Sequence, residues 1–350
     1  MLRARLTASK LQEQAQRVLR GIPQPAQITW EHVACPLCEG DSPRTLLEMD
    51  LPPDEQRCTV AECEACSMVY LTPRPDAGSI GQYYSRDYKP YQCRSARSGS
   101  WTAIKQRLTQ SVLAARLGYP LENRHWVDSI LGPALAPFLL PSQDSITRIP
   151  YHGEGKLLDF GCGAGWLAHR LQQRGWDVTG IDFSPIAAQQ VRESYGIPVH
   201  VGSLPHSAIA PESFDVITMG SVLEHVHDPH AILNGAVDAL RPGGLLVIVV
   251  PNIASWGFRT FGKDWFALDL PRHLLHFSPK TLTRLVQEHG LEVRALRMLG
   301  RKSWLRRSLE QSASHRWMLR APFLTSALTR WTVRTGQADC MLVLASTPSR

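Results

Sequence analysis

From Tyr151 onward the apolar positions fall into two alternating patterns. Runs that are apolar at nearly every position predict strands buried on both faces: KLLDFG (156–161), DVTGIDF (177–183), PVHVG (198–202), FDVITMG (214–220) and LLVIVVP (245–251). Between them, WLAHRLQQRG, PIAAQQVRESYG and DPHAILNGAVDALRPGG carry apolar residues at helical spacing. SPKTLTRLVQEHG then predicts a helix, LEVRALRML a strand, and ADCMLVLAS (338–346) a last strand. Strand and helix in strict alternation predict an α/β fold, a parallel sheet covered on both faces.

Before Tyr151 neither period holds. Residues 28–80 carry turn residues, short strand-like runs and four cysteines. Residues 81–150 are helical in patches and broken by Pro120, Pro133, Pro137 and Pro141. The expected organisation is a basic helix over 1–27, a zinc ribbon over 28–80, a helical connector or lid over 81–150, and the sheet domain over 151–350 with a basic helical insert at 300–337.

Composition changes this picture little: 43% apolar and 20% charged residues describe an ordinary globular chain. No apolar run is long enough to span a bilayer, and MLRARLTASKLQEQAQRVLRG lacks the apolar middle of a secretory signal, so a cytoplasmic protein is expected. Charge changes it more. Between Arg301 and Arg334 stand eight Lys/Arg and one acid, Glu310, and this one segment matches the +7 of the whole chain. A protein with one basic face is expected, not a generally basic nucleic-acid binder.

Four of the eight cysteines form two C-x-x-C pairs, Cys35/Cys38 and Cys63/Cys66, with 24 residues between the pairs. In a reducing compartment this spacing predicts a closed tetrahedral thiolate site for structural zinc. Cys58, Cys93, Cys162 and Cys340 are left as spare thiols.

The turn after the first strand, Gly161-x-Gly163-x-Gly165, brings bare backbone and a helix N-terminus to one point. The third glycine of a dinucleotide fingerprint would fall at Trp166, which disfavours a pyrophosphate. Asp182 ends the next strand, 21 residues after Gly161, where an acid accepts hydrogen bonds from ribose hydroxyls. Asp159, before the turn, suits orienting amides or meeting an ammonium group.

LLDFGCGAGW, VTGIDFSP, FDVITMGSVLEHVHDP and LRPGGLLVIVVPN stand in an order and spacing that resemble class I S-adenosylmethionine-dependent methyltransferases. The resemblance covers about residues 151–300 and the last strand. It implies a Rossmann-like sheet of seven strands, the last antiparallel, with S-adenosylmethionine across the carboxyl ends of the first strands. It implies further that Asp159, Gly161, Gly163 and Gly165 shape the methionine end, that Asp182 holds the ribose and that Phe183 stacks on adenine. Ser203 or the Leu204 amide would meet the adenine amine, where the family often has an acid, and Met219 would line the methyl channel.

Candidates for the chemistry follow. Glu224 and His225 stand just beyond the fourth strand, and His225 is the first choice as general base; a capping or packing role is its alternative. Some quinone-pathway O-methyltransferases look similar here and use the Glu-His pair for a divalent metal, but Ser221 stands where their extra acid would be. The loop after the fifth strand adds His273 and His276 as catalytic candidates, with Asp269 and Arg272 as substrate contacts. That loop is similar to the substrate loop of a bacterial group tied to saccharide and natural-product sugar pathways. CPLC…CEACSMVYLTPRP…YY resembles the N-terminal zinc module of sugar C-methyltransferases, which makes Tyr83, Tyr84 and Tyr88 substrate candidates.

The expected function is therefore methyl transfer to a sugar, glycan or related small acceptor, with S-adenosylmethionine and structural zinc. An RNA methyltransferase with a zinc module, or a non-catalytic protein keeping the fold, are the alternatives. The basic insert carries Trp304, Trp317, Phe323 and Trp331. A membrane interface at the inner face, a lipid-linked substrate and RNA phosphates all suit that composition. So does a plain helical pair packing its aromatics on the sheet.

Overall fold

A computed structural model describes residues 28–53, 55–84, 100–120, 146 and 149–349. The expected helix over 1–27, Cys93, Tyr88 and most of the connector lie outside the described residues.

The sheet domain is built as the apolar runs predict. Strands β6 (Lys156–Phe160), β7 (Asp177–Asp182), β8 (Val199–Val201), β9 (Phe214–Gly220), β10 (Leu240–Pro251), β12 (Glu292–Leu299) and β13 (Cys340–Ser346) form one sheet in the order β12-β13-β10-β9-β6-β7-β8. β6 to β10 are mutually parallel, and β13 runs antiparallel to both β10 and β12. Leu157, Leu158, Val216, Ile217, Leu246 and Ile248 lose essentially all contact with solvent, as central strands covered on both faces require. β10 starts five residues earlier than the apolar run suggests. The RPGG stretch stays in the ladder as an irregularity between Leu240 and Leu245 instead of leaving it as a loop.

Three crossover helices open with the same device. α3 (Pro185–Tyr195), α4 (Pro229–Ala239) and α6 (Pro279–Glu288) are preceded by Ser184, Asp228 and Ser278. Each cap accepts a hydrogen bond from the amide three residues on, and each helix has proline at its first position. α2 (Trp166–Gln172) opens on Gly165 instead, at φ 71°; a Cβ there would meet Val191 of α3 at 2.8 Å. The remaining helices are α1 (Ser100–Leu117), α5 (Trp256–Phe261) and, within the insert, α7 (Lys302–Gln311) and α8 (Pro322–Arg334).

Ahead of the domain, β2 (Pro43–Leu51), β3 (Gln56–Cys63) and β4 (Val69–Thr72) form an antiparallel meander, and β1 (Trp30–Glu31) pairs with β5 (Arg74–Pro75). The fourth strand of the meander comes from far along the chain. β11 (Leu275–His276), in the loop after β10, pairs with β4 through Leu275–Tyr70 and His276–Val69. The seam is tied further where Arg74 donates to the His227 carbonyl at 3.1 Å and His227 donates to the Pro75 carbonyl at 2.9 Å. The cysteine module is thus sewn onto the loop that carries the candidate catalytic histidines.

Candidate active site

A cavity of about 840 Å³ opens at the carboxyl ends of β6, β7 and β9, where parallel strands diverge and crossovers leave a crevice. Gly161 forms its floor at φ 70°. A Cβ there would come within 2.4 Å of Val222, so this position requires glycine. Asp182 joins the first two crossovers: its carboxylate accepts from the Gly163 amide at 2.8 Å and the Ser184 amide at 2.9 Å. Asp159 is buried at the wall and accepts from the Thr218 hydroxyl at 2.7 Å; burial pushes its carboxyl up to about 7. Phe183 is 51% exposed at the cavity edge, with Tyr84 packed edge-on at 5.2 Å. A large apolar ring left this open at the cavity edge suits stacking on a planar ligand. Ser203 and Leu204 line the same edge.

Two expected cofactor contacts stand elsewhere. Met219 is fully buried in the core, and Gly220 and Ser221 after it line the cavity in its place. β9 is covered on both faces, so one residue decides between core and crevice. Gly165 packs against α3 and is not at the cavity wall. Trp166 is at the wall, 50% exposed, and no periodicity could have marked it.

The opposite wall holds the titratable group. Glu224 is buried, and neither carboxylate oxygen has a hydrogen-bond partner among the described residues. Burial pushes its carboxyl up to about 8. His225 turns one edge to the cavity, and its Nδ1 lies 2.9 Å from the Arg272 carbonyl, so that nitrogen is the donor and Nε2 carries the lone pair. The Tyr84 hydroxyl lies 3.0 Å from the same Nδ1. His273 repeats the arrangement: Nδ1 donates to the Ala267 carbonyl at 2.9 Å, and the ring stands 4.6 Å from that of His225. Enclosure pulls His225 down to about 3 and His273 to about 4, so both imidazoles are neutral near pH 7. One ligand atom each from Glu224, His225 and His273 lie within 4.8 Å of one another. His273 comes from the substrate loop, a partner for the Glu-His pair that local spacing could not reveal.

Three further candidates are placed differently from expectation. His276 sits in β11 at the seam with the cysteine module, buried, with both ring nitrogens unpartnered among the described residues and no face on the cavity. Arg272 commits its guanidinium fork to the Asp269 carboxylate and also reaches the Tyr83 carbonyl at 3.4 Å, so it braces the loop behind the wall. Burial opposes ionisation of Asp269, but Arg272 and the nearby histidines overcome it and hold that carboxyl below the usual range. Asp269 itself lines the cavity. Of the tyrosines, Tyr84 reaches the cavity, whereas the Tyr83 hydroxyl donates to the Pro52 carbonyl at 2.8 Å, away from it.

The four module cysteines converge as their spacing predicts. Cys35 and Cys66 sulfurs are 3.4 Å apart, Cys38 and Cys63 sulfurs 3.6 Å, and all four lie within 4.8 Å of one another. A tetrahedral zinc thiolate site has sulfur–sulfur edges of about 3.8 Å. Two tight turns present them, closed by the Glu39 amide on the Cys35 carbonyl and the Ser67 amide on the Cys63 carbonyl, each 2.8 Å. The donor set is compatible with structural zinc, and none of the four lines the cavity.

A Rossmann-like sheet with a glycine turn, an acid ending the second strand and an open aromatic beside it make this a Rossmann-like α/β domain with an open crevice at its carboxyl edge. Residues 124–296 match the family described as "Methyltransferase domain". The chain is 33% identical over 151 residues to the ubiquinone biosynthesis O-methyltransferase of Pseudomonas entomophila (strain L48), a match covering 40% of this chain and 65% of that relative. It is 32% identical over 154 residues to the enzyme of the same name from Azoarcus sp. (strain BH72), covering 40% and 66%. The chain therefore spans just under two thirds of the length of these relatives. A crystal structure of an S-adenosylmethionine-dependent methyltransferase from Mesorhizobium loti is similar at 19% identity and a TM-score of 0.42, over 61% of this chain and 96% of that one. Just under half of the chain thus matches a methyltransferase domain, and it does so on a sheet whose strand order and glycine turn are those of a Rossmann-like α/β fold.

Proposed function

We propose that the protein moves the sulfonium methyl group of S-adenosylmethionine to a hydroxyl of a small acceptor, a sugar, glycan or related molecule. One observation carries this reading: a single cavity joins the Gly161–Asp182–Phe183 wall to Glu224, His225 and His273. The relatives named O-methyltransferases support oxygen as the acceptor atom.

Displacement at a sulfonium has a good leaving group, so the site mainly aligns the acceptor oxygen with the methyl carbon and excludes water. The methyl passes from sulfur to oxygen, the thioether leaves, and the oxygen's proton must go to the protein. His225 Nε2 is the acceptor, because Nδ1 is committed to the Arg272 carbonyl. A weak base suffices when the proton leaves late, since an alkylated oxygen still bearing its proton is a strong acid. Ionised Asp269, beside His273, offsets the imidazolium that forms.

The unpartnered Glu224 oxygens favour a second reading of the same wall. Glu224, His225 and His273 form a carboxylate and two neutral imidazoles that suit a divalent cation, which would lower the pKa of the acceptor hydroxyl. Titration calorimetry with S-adenosylmethionine, then transfer of labelled methyl to panels of nucleotide sugars and phenols, tests the proposal. Absence of cofactor binding removes it. His225→Ala should lower kcat by about a hundredfold or more with cofactor Kd unchanged. Bound metal after dialysis, together with activity lost to a chelator and restored by a divalent cation, selects the second reading.

A further inference from the structure

The basic insert meets only half of the bland expectation for it. Trp304 of α7 turns inward, lines the cavity and stands 6.1 Å from the ring of Phe266, while the Phe266 amide donates to the Ser308 hydroxyl at 2.9 Å. The other three aromatics turn outward. Trp317 is 60% exposed, Phe323 71% and Trp331 43%.

They do not lie at random. Along α8, Phe323, Ala327, Arg330, Trp331 and Arg334 are all exposed, and their spacing puts them on one side of the helix. The opposite side is already used: Thr325 and Thr332 are buried, and Leu328 packs against the domain core. The short helical turn Arg316–Arg320, just before α8, adds exposed Arg316, Trp317 and Arg320. None of these four arginines forms an ion pair among the described residues. Glu310, the one acid between 301 and 334, pairs with Arg306 at 2.9 Å. The result is an outward face of large aromatics and unneutralised arginines.

We propose that this face, the turn Arg316–Arg320 with the outer side of α8, docks on the surface of an anionic phospholipid bilayer. Aromatic rings exposed to this degree gain by entering the apolar margin of the headgroup layer. Arginines beside them keep their stems with the rings and their charge on lipid phosphates. Single-stranded RNA is the less favoured partner, because base-stacking platforms work within a charged groove that tracks the strand, and these rings stand on the outer side of a helix. The insert reaches the cavity through Trp304, so docking would hold that wall beside the bilayer. The binding claim does not depend on the methyl-transfer reading.

The test is flotation of the full-length protein with vesicles of phosphatidylcholine alone and of phosphatidylcholine with phosphatidylglycerol. Flotation with the anionic vesicles only, weakening as salt rises, is the expected result. The triple substitution Trp317→Ser, Phe323→Ser, Trp331→Ser should reduce partitioning by about tenfold or more. Arg316→Ser, Arg320→Ser, Arg330→Ser, Arg334→Ser together should do the same. An unchanged melting temperature shows that these variants remain folded. Failure to float, equal flotation on both vesicle types, or unaltered partitioning of the folded aromatic variant overturns the proposal. So does retention of single-stranded RNA through these residues without vesicle binding.

Discussion

Two clusters of ligand atoms stand among the described residues, and their surroundings are opposite. In each, one ligand atom per residue lies within 4.8 Å of the others. The cysteine cluster is closed, with sulfurs facing one another across 3.4 and 3.6 Å and backbone turns around them. Four like donors fill a tetrahedron and leave no position for a reactant. The Glu224–His225–His273 cluster has a carboxylate and two imidazoles, unpartnered carboxylate oxygens and an 840 Å³ cavity in front of it. One geometry suits holding a fold and the other suits meeting a substrate. Loss of the first should therefore be felt in stability, and loss of the second in rate.

The largest expected effect is at the closed cluster. Cys66→Ser removes one of the four converging thiols, itself buried, and because a structural metal site stores folding free energy, the bound zinc should be lost and Tm should fall by about 10 °C or more. The damage should spread. β4 follows the Cys63–Cys66 turn and pairs with β11, and the adjacent Leu274 amide donates to the Glu224 carbonyl at 2.8 Å. Methyl transfer should therefore fail with the fold. Zinc content and melting curves measured on wild type and variant decide this, and an unchanged Tm would reduce the module to an appendage.

At the open cluster the expectation reverses. Glu224→Gln keeps the shape but removes the carboxylate that a divalent cation would need, so under the second reading of that wall kcat should fall by about a hundredfold or more while cofactor Kd changes by less than about threefold. Tm should hold or rise, since a buried carboxyl without a partner gives the fold nothing. A drop in Tm like that of Cys66→Ser, with kcat retained, would erase the contrast between the clusters.

The same contrast explains what could be read in the chain. The cysteine pairs and the glycine turn were legible because their members stand two or three residues apart and each is held by local backbone. Asp182 was legible because its strand is a near-continuous apolar run that ends on it. The helices after Ser184, Asp228 and Ser278 were legible from their apolar spacing, and the structure adds that each opens on a cap followed by proline. What stayed hidden is where side chains end up, much of it set by contacts between distant segments. The pairing of β11 with β4 links residues 69–70 to 275–276, and it turns His276 from a catalytic candidate into a buried residue at a seam. Arg272 reads as an anion grip until Asp269 is seen to occupy its fork. Met219 reads as channel lining until β9 is found covered on both faces, and Trp304 enters the cavity from the insert, beyond the reach of any local pattern.

Asp159 stands between the two clusters in character and sharpens the comparison through pH. It is buried like the thiols and satisfied by Thr218, yet it faces the cavity like Glu224. Burial pushes its carboxyl from 3.8 up to about 7, so in the cofactor-free protein the folded state holds a proton that the unfolded chain would release. That stabilisation is complete at low pH and is lost as pH rises toward and through about 7. Asp159→Asn, which cannot ionise, should therefore match wild type below pH 4 and exceed it by up to about 4 kcal/mol at pH 8. Cofactor affinity should run the other way. If the ionised carboxylate meets the ammonium of S-adenosylmethionine, wild-type affinity should weaken by about tenfold in all as pH falls through 7, and the variant should be weaker by about tenfold at pH 8 with a flat profile. Chemical denaturation and calorimetry at pH 4, 6 and 8 separate the two effects. Parallel affinity profiles for both proteins would place the ammonium elsewhere in the cavity and leave Asp159 as a purely structural acid, on the cysteine side of the comparison.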